Sequence, residues 1–254
     1  MSEPDAEWQR KNCLKCYNYF REQERLRSLV KLSNDIDIDQ LKYIGGVDLS
    51  FPLNDNKHAV ACLVVLDYPS MKLVHSSFKQ VVLTLPYIPG YLAFREVEPL
   101  VALLKDLKAA NPDIYPQAIL VDGNGVLHPR QFGLACHLGV LSDTPCIGVA
   151  KNFLHIPQEG SSMEMADVKS RCNIALQRRG DTVELVGSSG FTYGVALRAS
   201  DSAKNPVFVS QGHRIDLPTA VHLVLSCSKY KNAEPIRMAD GLSRQYIRDH
   251  YPTS

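Results

Sequence analysis

Three strand-like apolar runs stand so close together that only tight turns can join them, and this limits the fold more than any other feature of the chain. Residues 43 to 51, 59 to 67 and 72 to 84 are rich in aliphatic and β-branched residues, and the spacers Asn54-Asp55-Asn56-Lys57 and Tyr68-Pro69-Ser70 are short and polar. Strands joined this tightly are expected to form an antiparallel meander. The period then changes. Phe94, Val97, Leu100, Val101, Leu104 and Leu107 recur at helical spacing, with Pro99 acceptable only in the first turn. A strand at 117 to 122, a helix around 130 to 141 and a strand at 145 to 150 follow, the alternation of parallel strands with helical crossovers.

A helix near 164 to 178 leads to a hairpin, 183 to 187 and 191 to 198, turning at Gly187-Ser188-Ser189-Gly190, and strand 206 to 210 is expected to join it. Two helices close the chain, about 217 to 227 with Pro218 in its first turn and about 236 to 249. In residues 5 to 32, Trp8, Leu14, Tyr17, Leu26 and Val30 recur at loosely helical spacing among mixed charges, which predicts an N-terminal helix laid on the core. One domain of residues 1–254 is expected, with its core at about 40–250. The predicted class is α/β: a mixed sheet, antiparallel meander plus parallel strands, flanked by helices. This is the ribonuclease H-like order, in which the first and fourth strands can be neighbours. An ordinary doubly wound domain, with its crevice at the strand C-terminal ends, is the alternative.

Composition narrows the setting. The 254 residues are 45% hydrophobic, enough for a sizeable core, and the net charge of +1 means that any nucleic-acid binding must use local patches. The most compact such patch in the sequence is Ser228-Lys229-Tyr230-Lys231 with Arg237. Seven scattered cysteines read as reduced thiols. Cys13-Leu14-Lys15-Cys16 has metal-knuckle spacing without a second pair. The polar N-terminus carries no signal-like core, and no run is long enough for a membrane span. A soluble intracellular protein is expected.

Three acids stand at junctions of this plan. Asp48 closes Tyr43-Ile44-Gly45-Gly46-Val47, Asp122 closes Ala118-Ile119-Leu120-Val121, and Glu96 opens the helical pattern. A carboxylate at the end of a buried strand is costly unless something cationic pairs with it. Magnesium takes hard oxygen ligands, commonly one or two carboxylates plus phosphate oxygens, and a metal site so built hydrolyses phosphodiesters. Taken singly, each acid also reads as a cap or turn residue. Asp240 on the last helix is a fourth candidate, against a solvated acid on a polar face. Lys151, ending the strand Cys146-Ile147-Gly148-Val149-Ala150, is placed to neutralise phosphate charge, or is simply solvated.

Two loops suggest a base reader. In Leu85-Pro86-Tyr87-Ile88-Pro89-Gly90-Tyr91, two prolines stiffen a segment that presents Tyr87 and Ile88 outward to wedge between bases; the alternative is a core cap. In Asp122-Gly123-Asn124-Gly125-Val126-Leu127-His128-Pro129-Arg130, Gly123 and Gly125 allow close approach to a flat ligand. His128 contacts phosphate, helps position the metal, or is merely structural.

Read together and in order, Tyr43 to Asp48, Pro86 to Glu96, Val121 to Gly125, His128-Pro129-Arg130 and Gly148 to Lys151 resemble the Endonuclease V family, over residues 40 to 245 and with the look of a vertebrate member. The resemblance implies magnesium-dependent cleavage at the second phosphodiester 3′ to inosine, leaving 5′-phosphate and 3′-hydroxyl ends, with manganese as a substitute. It implies Asp48, Glu96 and Asp122 as metal-binding acids, Lys151 and Asp240 as further catalytic residues, and Leu85 to Pro89 with Gly123, Asn124, Gly125 and His128 as nucleic-acid contacts. The expected partner is inosine-containing single-stranded RNA for a monomer of the cytoplasm and nucleus, nucleolus included. Deoxyinosine-directed DNA repair is the first alternative. A module that binds edited RNA without cutting it is the second.

Overall fold

The computed structural model describes residues 18–55, 57–84 and 90–251. Residues 18–27 are helical (α1), so the expected N-terminal helix is present in its second half, while Cys13 and Cys16 lie outside the described residues. Strands β1 (Tyr43–Ser50), β2 (His58–Asp67) and β3 (Leu73–Val82) form the antiparallel meander. Then come α2 (Leu92–Ala110), β4 (Ala118–Asp122), α3 (Leu134–Ser142), β5 (Cys146–Ala150), α4 (Met165–Ala175), β6 (Thr182–Val186), β7 (Thr192–Leu197), β8 (Val207–His213), α5 (Leu217–Ser226) and α6 (Glu234–His250). All eight strands share one sheet in the order β3-β2-β1-β4-β5-β8-β7-β6. β1, β4 and β5 run parallel, and the rest of the sheet is antiparallel. The ribonuclease H-like plan therefore holds, with the first and fourth strands adjacent.

Strand alternation assigns each side chain a face. Along β2, Ala61, Leu63 and Val65 join the core beneath α2 and α3, whereas Cys62, Val64 and Leu66 join the core beneath α5 and α6. On β1 and β4 the same parity sends Ile44 and Leu120 toward α6, and Val47 and Val121 toward α2. A third core packs Val168 and Cys172 of α4 on Leu185, Tyr193 and Phe208. The described cysteines, Cys62, Cys136, Cys146, Cys172 and Cys227, are buried free thiols.

Two local expectations are corrected. Pro99 is not in a first turn: α2 begins at Leu92, so the proline lies at its eighth residue and Glu96 at its fifth. The buried face Ala93, Val97, Leu100, Leu104 carries the helix through the missing proline hydrogen bond. The helix expected from residue 130 begins at Leu134, because residues 123–133 are held as a loop by Gly133 N–H to Gly125 O and Ala135 N–H to Asn124 O. The strand expected at 206 to 210 does join the hairpin, as β8, and it also pairs with β5. Among the described residues no helix is long and apolar enough to cross a membrane.

Candidate active site

Parallel pairing brings the first two acids together. Val47 pairs with Val121 at the end of the β1–β4 ladder, and Asp48 and Asp122 each follow by one residue, on the face that Leu120 and α6 share. They line a cleft of about 370 Å³ together with Ser50, Phe51, Lys151, Asp240 and Arg244. Asp240 projects from α6 into the cleft. Gly46 allows that approach: a Cβ there would lie 2.2 Å from the Pro235 carbonyl oxygen at the start of the helix.

Within the cleft, three carboxylates face two cations, and each cation is committed. Lys151 Nζ lies 2.5 Å from Asp122 Oδ2, and Arg244 Nε lies 2.8 Å from Asp240 Oδ1. Asp48 is left with hydroxyls, Ser50 Oγ at 2.8 Å and Ser243 Oγ at 3.0 Å from its Oδ2. Burial, with the charges of Asp122 and Asp240 behind it, holds Asp48 above the ordinary carboxylate range despite those bonds. Burial lowers the Lys151 ammonium, but the Asp122 hydrogen bond and the charges of Asp122, Asp240 and Asp48 more than reverse this, so it stays protonated.

Glu96 comes from α2, which packs on the other face of the sheet, and is near enough to feel the charges of Asp48 and Asp122. Burial, opposed by Arg95 and reinforced by Asp48 and Asp122, pushes it up to about 7. Among the described residues no three acids or imidazoles already form a closed metal cage. Magnesium does not require one, since it keeps waters and takes phosphate oxygens beside one or two carboxylates. A buried Asp48 that only hydroxyls contact, repelled by neighbouring carboxylates, fits the group that a divalent cation would neutralise.

The base-reader loops fare differently. Leu85, Pro86, Tyr87, Ile88 and Pro89 lie outside the described residues, but Gly90, which follows them, is firmly anchored. Its carbonyl accepts from Arg130 Nη2 at 2.6 Å and from Gln23 Nε2 at 3.3 Å, Arg130 Nε also donates to Gln23 Oε1, and the Arg130 guanidinium lies 4.2 Å from the Tyr91 ring. Gly123 has φ +157. Gly125 serves packing more than ligand approach: its N–H donates to Ser210 Oγ at 2.9 Å, and a Cβ there would lie 2.0 Å from the Gln211 carbonyl oxygen. Asn124 Oδ1 is buried with no hydrogen-bond partner among the described residues. His128 is a brace. It is buried, its Nδ1 accepts the Arg130 N–H at 3.2 Å, and burial, aided by Arg130, pushes it down to about 4 against its bond to the Gly90 backbone. It therefore brings no positive charge to phosphate at neutral pH.

Ser50, Ser243, Arg244, Gln23 and Arg130 were not foreseen as site residues. Ser50 had a usable signal, two residues after Asp48 and hence on the same face of the strand. The others act across tertiary contacts that no local pattern marks. Arg237, in the basic patch, pairs with Glu234 at 2.6 Å and lies 5.9 Å from the Tyr230 ring, with its side chain half exposed.

Carboxylates at the ends of adjacent parallel strands, with a lysine bonded to one of them beneath an open cleft, are the layout of an endonuclease, a hydrolase of phosphodiester bonds. The comparisons name the group. The Endonuclease V family model matches residues 24–241. The chain is 47% identical to mouse Endonuclease V over 233 residues, 89% of this chain and 68% of that protein. It is 43% identical to human Endonuclease V over 235 residues, 90% of this chain and 82% of that one. The crystal structure of the human catalytic domain superposes with a TM-score of 0.87 at 42% identity, covering 97% of this chain and 98% of that chain. Endonuclease V from Ciona intestinalis, in complex with a 24mer DNA containing an inosine followed by a ribo-adenosine, superposes with a TM-score of 0.88 at 38% identity, covering 92% and 98%. This chain belongs to the Endonuclease V family.

Proposed function

We propose that the chain is an inosine-directed endoribonuclease that cuts single-stranded RNA at the second phosphodiester 3′ to inosine, leaving 5′-phosphate and 3′-hydroxyl ends. The observation that carries the reading is the convergence of Asp48, Asp122, Lys151 and Asp240 on one cleft, with the Gly123 loop following Asp122 directly in the chain. Magnesium, with manganese as its substitute, would be held by Asp48 and Asp122 with Glu96 beside them, and would supply an activated water and charge neutralisation at the phosphate.

The protein residues divide the remaining work. Ser50 and Ser243 fix the orientation of Asp48, so that its free oxygen faces the cleft. Lys151, held by Asp122, presents an ammonium to the charge that builds on the phosphate oxygens during the displacement. Arg244 holds Asp240 in place. Base selection falls to the Gly123–Gly125 segment. Hypoxanthine carries a proton on N1 where adenine has a lone pair, and the unpartnered Asn124 Oδ1 is an acceptor for such a proton. A site that pairs with that edge leaves groups unpaired against adenine, and such mismatches discriminate strongly.

A ribose preference is supported by the Ciona relative, whose bound strand carries a ribonucleotide directly after the inosine; a protein tells RNA from DNA through the 2′-hydroxyl. The test is side-by-side cleavage of matched RNA and DNA oligonucleotides bearing inosine or adenosine, with magnesium or with a chelator. Cutting of the inosine RNA alone, dependent on magnesium, is expected. Equal cutting of the DNA would return the assignment to deoxyinosine repair, and binding without cutting would make the chain a reader of edited RNA.

A further inference from the structure

A second groove, of about 400 Å³, opens beside the catalytic cleft, and Lys151 lines both. Its rim is basic: Lys169 from α4, Arg198 just after β7, Lys204 before β8 and Lys231 between α5 and α6 all face it, and no aspartate or glutamate does. Phe153 and Phe208 lie at its floor, both buried in the third core. Arg198 is held by backbone carbonyls, donating to Leu176 O at 3.2 Å and Asp201 O at 3.0 Å, with its Nε buried and unpartnered. Among the described residues Lys169, Lys204 and Lys231 form no ion pair with a carboxylate. In a chain whose net charge is only +1, cations from four separate segments on one groove with no carboxylate in its lining are a concentrated field for an anionic polymer.

We propose that this groove binds the single-stranded segment of the substrate on the 3′ side of the cleaved bond. The inference rests on the reading of the first cleft as the cutting site. The base-reader segment begins at Gly123, directly after Asp122, and the cut is expected at the Asp122–Lys151 pair; no residue of that segment lines the groove, which meets the cleft at Lys151. With inosine 5′ of the cut, the strand that passes Lys151 is the 3′ arm, which becomes the 5′-phosphorylated product. The lysines contact phosphates rather than base edges, so this grip is independent of sequence.

The test compares inosine RNA substrates with a constant 5′ arm and either a long or a dinucleotide 3′ arm. Wild-type protein is expected to favour the long arm through KM. Lys169→Glu/Lys204→Glu should abolish that advantage, and the log–log salt dependence of binding to a 5′-phosphorylated single strand lacking inosine should become shallower by about 1.4, that is 0.7 for each of two phosphate contacts in a single strand. The binding measurement reads the groove whether or not the chain cleaves. Failure to cut inosine RNA would count against the function, while an unchanged salt slope or an arm-independent KM would overturn the groove alone. Both lysines are exposed, so the double variant should melt as wild type, and Lys231→Ala repeats the test at a third position.

Discussion

Asp48 is the residue on which the electrostatics converge: buried, bonded to two hydroxyls, and crowded by two other carboxylates. Asp48→Asn keeps an oxygen for Ser50 and Ser243 but removes the charge. Cleavage should fall roughly a thousand-fold, about 4 kcal/mol of transition-state stabilisation. Thermal denaturation without metal should show the opposite sign, a melting temperature higher by roughly 2–4 °C if the relieved repulsion is about 1 kcal/mol, and added magnesium should no longer raise it.

His137 supplies a separate test on the acid side. It is buried against Phe94 and Phe132, and burial pushes it down to about 4, with Glu22 opposing. A depressed pKa means that the unfolded chain binds the proton more readily, so the stabilisation is present above 6.5 and is lost as pH falls toward 4; by pH 4 the loss is on the order of 3 kcal/mol. Denaturant unfolding of His137→Phe should show a shallower decline over that window than wild type. The first two acids were legible because a strand end is a local event. The partners of Asp48 were not, since Ser243 comes from a helix whose facing residues depend on how it docks.

At the scale of elements, two contacts set where the chemistry sits. α6 reaches Asp240 into the cleft only because Gly46 lets Pro235 lie against β1. Gly46→Ala should cost about 1–3 kcal/mol through forced backbone shifts, and its cleavage rate should fall even at temperatures where the variant remains folded. The second contact is the anchor of Gly90 by Arg130 and Gln23, which ties α1, the Gly123–Arg130 loop and the end of the wedge segment into one unit. Arg130→Lys cannot make the same forked contact. Its KM for inosine RNA should rise more than its kcat falls, as steady-state kinetics would reveal. The sequence marks both loops by their glycines and prolines, but Gly125 proved to be packed on Gln211, and His128 to brace Gly90. A glycine announces close approach without saying what approaches.

For the whole molecule, turn lengths and the change from strand to helical period were enough to place β1 beside β4, and hence Asp48 beside Asp122. What they could not give is how the hairpin end of the sheet attaches to the parallel strands. β8 bridges β5 to the β6–β7 hairpin, and that closure assembles Lys169, Arg198, Lys204 and Lys231 from segments with no shared motif. The compact basic patch visible in the sequence was partly spent instead, with Arg237 neutralised by Glu234. Non-local charge is the part of a nucleic-acid-binding surface that a linear reading misses.

The most direct measurement maps, at single-nucleotide resolution, the ends produced from one inosine-containing RNA by wild type, Asp48→Ala and Asp122→Ala in magnesium. The account predicts a single cut at the second phosphodiester 3′ to inosine with a 5′-phosphate on the downstream product, absent with adenosine in its place and absent in both variants. Undiminished cutting by either variant, or cuts that ignore the inosine, would contradict it.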